Sequence, residues 1–130
     1  MHDPSPPLSC KVYTPRKLAD AMVAAIADGT HLSWLEPSCG KGVFLHALHA
    51  IGIPRVKIHA VDLDPLACDG DSYASVSRGV DFLRWVRLKD LRYDCVAGNP
   101  PYVAIRSLPE PLQSTAAGVV DHQGLPIGKR

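Results

Sequence analysis

The sequence predicts an α/β fold, a parallel sheet with flanking helices, from three observations. Apolar runs of strand length alternate with stretches whose apolar residues recur at helical spacing. A glycine-bearing turn, Pro37-Ser38-Cys39-Gly40-Lys41-Gly42, separates the first strand-like run from the helix behind it. The later runs close on polar motifs, Asp62-Leu63-Asp64-Pro65 and Asn99-Pro100-Pro101-Tyr102, which places the chemistry at strand carboxyl ends, where open parallel sheets bind ligands.

Taken in order, residues 1–12 are proline-rich and aperiodic, a flexible segment before the domain. Thr14-Pro15 predicts a helix start, a capping hydroxyl with proline at the first helical position. Leu18, Met22, Ala25 and Ile26 mark its buried face, and Gly29 its end. Leu32 to Glu36 reads as a short buried strand. After the glycine turn, Val43, Phe44, Ala47, Leu48 and Ile51 return to helical spacing until Gly52 and Pro54 stop the helix. Val56 to Asp62 is the second strand, rich in β-branched residues, and completes a βαβ unit. Residues 66–75 hold a turn or short helix, Val76 to Val80 a third strand, and Phe82 to Val86 a brief helix. Tyr93 to Gly98 is the fourth strand and runs straight into Asn99. From Arg106 the prolines and glycines interrupt every candidate element, which predicts an irregular tail over 106–130 and a domain over 13–105.

A chain of 130 residues supports one domain, and its 46% apolar and 21% charged residues are those of a globular protein. A net charge of +1 gives no electrostatic support for tight, self-sufficient nucleic-acid binding. The four cysteines, Cys10, Cys39, Cys68 and Cys95, are far apart in sequence and read as reduced thiols; no metal site is predicted. With no membrane-length apolar run and no signal-like start, a cytoplasmic location is expected. The histidines, His46 and His49 among them, are expected to face solvent without a role.

The motifs carry a chemical reading. Gly40 and Gly42 allow close backbone approach to a ligand, and the helix N-terminus behind them offers free N–H groups to an anionic group; their alternative is a simple tight turn. Asp62, about 20 residues on at the tip of the next strand, suits the two hydroxyls of a ribose. Asp64 is the alternative ligand, or a cap for the turn behind Pro65. In Asn99-Pro100-Pro101-Tyr102, two acceptors, the Asn99 amide and the Pro100 carbonyl, can grip the protons of an aromatic amino group and push its nitrogen toward tetrahedral geometry. Tyr102 can stack on an extruded base. The bland alternatives are a polyproline-like turn with a packing tyrosine, a packing Tyr13, and caps at Thr14 and Asp81.

Together, Tyr13-Thr14-Pro15, Glu36-Pro37-Ser38-Cys39-Gly40-Lys41-Gly42-Val43-Phe44, Asp62-Leu63-Asp64-Pro65, Asp81-Phe82-Leu83 and Asn99-Pro100-Pro101-Tyr102 strongly resemble the gamma-type adenine-specific DNA methyltransferases, over roughly residues 12–103. The resemblance implies a Rossmann-like fold and S-adenosylmethionine as cofactor. It assigns Thr14, Glu36, Pro37, Ser38, Cys39 and Gly40 to the methionine part, Asp62 to the ribose, and Asp81 and Phe82 to the adenine. It assigns Asn99, Pro100 and Tyr102 to a flipped adenine in DNA, with direct methyl transfer to its amino group and a restriction-modification setting. The family continues with further strands and a target-recognition region, so a sheet truncated after its fourth strand is expected, with a second chain as the supplier of the remainder. Rival readings are a protein-glutamine methyltransferase, which shares the N-P-P-Y motif, and an inactive cofactor-binding remnant.

Overall fold

The computed structural model describes residues 13–100 together with Glu110, Pro111, Gln113 and Ser114. Helix α1 spans Arg16–Ile26, strand β1 Trp34–Glu36, helix α2 Val43–Ala50, strand β2 Ile58–Asp62, strand β3 Ser75–Arg78, helix α3 Phe82–Leu88 and strand β4 Cys95–Val96. The four strands form one sheet in the order β3-β2-β1-β4, and every pairing is parallel. Trp34 pairs with Ile58 on one side and Cys95 on the other, and Asp62 pairs with Arg78. The carboxyl ends of all four strands therefore lie along one rim. The strand order reverses between β1 and β4, which makes that gap the switch point where such sheets open a crevice.

The core fills the space between the sheet and the helices. Trp34, Leu45, Leu48, Ile58, Ala60 and Ala74 are almost completely buried there. β1, at the centre of the sheet, is buried along its whole length, as expected of a strand covered on both faces. The βαβ reading of residues 32–62 holds, with shorter strands. Val56, expected in the second strand, sits instead in a single 3-10 turn at Arg55–Lys57 and is 84% exposed. The proline before that turn holds extended backbone and sets the turn up ahead of the strand.

The predicted face of α1 is wrong. Ala19 and Val23 are the buried residues, packed in the core cluster, whereas Leu18, Met22, Ala25 and Ile26 are exposed. Two apolar stripes run along this helix, and the one with the smaller side chains is the one buried. Thr14 does not cap the helix: Pro15 occupies that position, its carbonyl accepting from Leu18 and Ala19. His49 is exposed as expected while His46 is half-buried, and each ring lies tilted against Tyr73, with centroids 4.4 and 4.7 Å away. Glu110, Pro111, Gln113 and Ser114 are helical, where the sequence reading expects irregular chain. Among the described residues β4 is an edge strand with Val96 exposed, and no helix is long and apolar enough to cross a membrane.

Candidate cofactor and substrate site

The glycine turn leaves β1 at the centre of the rim and is pinned from both sides. Cys39 N–H donates to the Val61 carbonyl at 3.1 Å, and Gly40 N–H donates to Asp62 Oδ2 at 2.7 Å. The Gly40 carbonyl accepts from Cys68 N–H at 3.0 Å, so one glycine joins the loops that follow β1 and β2. Gly40 (φ 51°) and Gly42 (φ 80°) both occupy the left-handed region, which L side chains rarely adopt. Among the described residues no atom beyond its chain neighbours lies within 4 Å of where a Gly40 Cβ would point, so they leave that face of the turn open. Gly42 heads α2 without a side-chain cap, leaving the first-turn N–H groups to other partners.

Asp62 stands at the end of β2, where both carboxylate oxygens already accept backbone hydrogen bonds. Oδ2 takes Gly40 N–H and Oδ1 takes Asp64 N–H at 2.9 Å. A carboxylate has about four acceptor sites, so two such bonds leave capacity for a ligand. Asp64 is committed locally, its Oδ1 accepting from Leu66 N–H at 2.8 Å as a turn cap.

Glu36, the last residue of β1, is the buried charged group of the site, only 1% exposed. Its Oε1 accepts from Ser38 N–H at 3.0 Å. Burial pushes its carboxyl up to about 8, against the lowering effect of the Ser38 N–H, and the nearby Asp62 and Cys68 add to the rise. Ser38 Oγ is buried without a hydrogen-bond partner among the described residues, a donor and acceptor that a bound polar group can satisfy.

Gly98, which follows β4 across the switch point, makes room for Glu36. A Cβ there would meet Glu36 Oε1 at 2.5 Å and Pro37 Cδ at 3.2 Å. We expect Gly98→Ala to cost about 1–3 kcal/mol of stability by overpacking, read from urea denaturation. In a Glu36→Asp background the same substitution should cost far less. An equal cost in both backgrounds would place the strain elsewhere.

The chain then turns into Asn99, whose Nδ2 donates to Thr14 Oγ1 at 3.2 Å across 85 residues of sequence. The Thr14 hydroxyl thus serves the far end of the domain and not its own helix. Lys41 Nζ sits 4.6 Å over the Tyr13 ring, a cation–π contact that ties the segment before α1 to the glycine turn. Asp81 caps α3, its Oδ1 accepting from Leu83 N–H at 3.1 Å, and Phe82 leans on Trp85 with ring centroids 6.1 Å apart. Both stand just past Val80, whose N–H donates to the Asp62 carbonyl at 3.0 Å, so they follow β3 onto the same rim. Thr14, Asn99, Pro100, Glu36, Pro37, Ser38, Cys39, Gly40 and Asp62 thus come from strand ends and loops that share one edge of the sheet. Tyr102 lies outside the described residues.

Sequence reasoning missed Gly98, whose role is visible only beside Glu36, and the approach of Cys39 to Cys68, whose sulfurs are 3.6 Å apart. Nothing in a spacing of 29 residues signals the latter pair.

No protein-family model matches the chain. It is similar to the type II methyltransferase M.CvrRI of Paramecium bursaria Chlorella virus XZ-6E, with 31% identity over 94 residues, 69% of this chain and 24% of that protein. It is also similar to the type II methyltransferases M.HincII and M.HindII of Haemophilus influenzae, each with 28% identity over 102 residues and 75% of this chain. The chain spans 18% and 17% of those two proteins. A solved structure described as a modification subunit of a type I restriction enzyme, from Vibrio vulnificus YJ016, superposes with a TM-score of 0.57 at 20% identity, covering 88% of this chain and 31% of that one. That superposition supports the α/β fold class expected from the sequence, a parallel sheet with flanking helices.

Proposed function

Because the chain is a homologue of type II methyltransferases over most of its length, we propose that it binds S-adenosylmethionine at the rim of the sheet and presents Asn99 and Pro100 to the amino group of an adenine in DNA. The observation that carries this reading is the convergence at the switch point: the open glycine turn after β1, Asp62 after β2, and Asn99 after β4, tied to Thr14 at 3.2 Å.

The donor set fits such a cofactor. Glu36 offers a carboxyl that can ionise against a methionine ammonium, Ser38 Oγ, unpartnered among the described residues, offers a hydrogen-bonding group to its carboxylate, and Gly40 leaves space for the backbone of the turn to approach it. Asp62 retains acceptor capacity for ribose hydroxyls, and Phe82 supplies an apolar face beyond β3 for the adenine. When bound, the cofactor supplies an electrophilic methyl group on a sulfonium. The chain's own part is to activate a weak nucleophile. The Asn99 Oδ1 and the Pro100 carbonyl accept the two amino protons, holding the nitrogen lone pair out of conjugation and toward the methyl group. The Thr14 hydroxyl accepts from Asn99 Nδ2 and so orients the amide. Tyr102 is assigned to stacking on the flipped base.

The test is product analysis. The full chain is incubated with labelled S-adenosylmethionine and either unmethylated DNA or a glutamine-bearing protein, and the digested products are separated. We expect label in N6-methyladenine and none after Asn99→Ala, which keeps the cofactor loops intact. Label in glutamine instead would move the substrate to protein. Cofactor binding without transfer to either would assign the chain a binding role only.

A further inference from the structure

Cys39 and Cys68 belong to different loops, the glycine turn after β1 and the segment after β2, yet their sulfurs are 3.6 Å apart. The loops are already joined by Cys68 N–H donating to the Gly40 carbonyl at 3.0 Å, and each has further anchors of its own. Cys39 is held by its N–H to the Val61 carbonyl and by its carbonyl, which accepts from Gly42 N–H at 2.7 Å. The Cys68 loop is held by Arg78, which donates to the carbonyls of Ala67 and Cys68 and to the Asp71 carboxylate. The Cys68 side chain is closely boxed. A Cβ on Gly42 would meet its Cβ at 3.3 Å, and a Cβ on Gly70 would meet its sulfur at 3.1 Å. The two glycines close the space around Cys68, while its sulfur already touches that of Cys39.

The protons are divided unequally between the two thiols. Cys68 is lowered to about 7, first by the hydrogen it receives from Cys39 and then by the Gly70 N–H and the Arg78 guanidinium, with burial and Asp62 opposing. Cys39 is raised, chiefly because it gives its hydrogen to Cys68, and also by burial and the nearby Asp62 and Glu36. Cys68 is therefore the more readily ionised of the two and the more exposed, the arrangement of an attacking thiol beside a resolving one.

We propose that Cys39 and Cys68 are a peroxide-sensitive dithiol whose oxidation forms an intramolecular disulfide, stitching the glycine turn to the loop after β2. The Cys68 thiolate attacks hydrogen peroxide; a sulfur–oxygen bond forms, the oxygen–oxygen bond breaks, and hydroxide leaves to become water. Cys39 loses its proton and attacks the resulting sulfenic sulfur; the sulfur–sulfur bond forms and a second hydroxide departs as water. Two thiols and one peroxide give one disulfide and two waters, with two electrons passing from sulfur to oxygen. The bridge fixes the spacing of Gly40 and Asp62. Its effect on the cofactor rests on the function proposed above; its formation does not.

The experiment is peroxide titration of the purified full chain, read by intact mass and by peptide mapping without reductant. We expect loss of the mass of two hydrogens, disappearance of two of the four thiols, a linked Cys39–Cys68 peptide pair, and full reversal by dithiothreitol. Cys39→Ser should stop at a sulfenic acid on Cys68 that dimedone traps, and Cys68→Ser should leave Cys39 unreacted. Both cysteines staying reduced at peroxide levels that oxidise Cys95, or Cys68 linking to another cysteine, overturns the proposal. The wild-type measurement needs no variant to fold. Calorimetry then compares S-adenosylmethionine binding by the two forms, with a difference of about tenfold or more expected. Equal affinities would overturn the coupling. Binding by neither form, with the bridge present, would overturn the proposed function and leave the dithiol standing.

Discussion

Asp62→Ala is expected to weaken S-adenosylmethionine binding by about a hundredfold or more. The carboxylate is assigned two ribose hydroxyls, and each hydrogen bond to a charged group contributes about 1.5–3 kcal/mol, with 1.4 kcal/mol equal to a factor of ten. Its loss also frees Gly40 N–H and Asp64 N–H, which it holds at 2.7 and 2.9 Å, so the glycine turn loses its tie to β2. Asp62→Asn separates the two contributions. The amide keeps one acceptor oxygen for the turn but presents a donor in place of the second, so it should bind more weakly than wild type and better than the alanine variant. Equilibrium titration of the three chains checks the order. Equal affinity in wild type and Asp62→Ala would remove Asp62 from the site.

Glu36→Gln should make the chain more stable above neutral pH and a poorer binder of the cofactor. The buried carboxyl holds its proton in the folded chain up to about pH 8, against a value of 4.5 when unperturbed. Between those values folding takes up a proton. The stabilising preference for the protonated form is whole below about 4.5 and is lost as pH rises through about 8. At 1.36 kcal/mol per pKa unit, the wild type should lose on the order of a few kcal/mol across that window. Glutamine has the same shape and does not titrate, so urea denaturation from about pH 5 to about pH 9 should show a smaller fall for Glu36→Gln. Under the proposed function the cofactor would reverse the balance, because a methionine ammonium would pair with the carboxylate and not with the amide. A buried acid that destabilises the free fold yet serves a cationic ligand is the kind of compromise functional sites impose. Parallel pH profiles for the two chains would refute this account of Glu36.

The βαβ unit was legible because its signals are local: a glycine turn between an apolar run and a helical period, then an acidic strand tip. The rim was legible for the same reason, since Glu36, Asp62 and Asn99 each end a run that reads as a strand. What was not legible depends on pairs distant in sequence. Periodicity marked the stripe of Leu18, Met22, Ala25 and Ile26 on α1, whereas the smaller residues Ala19 and Val23 are the ones buried. Thr14 had the sequence of a cap, and only the arrival of Asn99 at its hydroxyl gives it another use. Asp81 was assigned both a cap and an adenine ligand; its cap is seen, at 3.1 Å from Leu83 N–H. Gly98 looked like the end of a strand, and its need for hydrogen in place of a side chain follows from a carboxylate 62 positions earlier.

Calorimetric titration of the full chain with S-adenosylmethionine near neutral pH, repeated in two buffers of different ionisation enthalpy, decides whether the rim of the sheet holds the cofactor. We expect one-to-one binding with release of close to one proton, as the carboxyl of Glu36, protonated in the free chain, ionises against the incoming ammonium. Binding without proton release would detach Glu36 from the methionine part. No binding at all would contradict the cofactor site itself, and with it the methyltransferase reading of this chain.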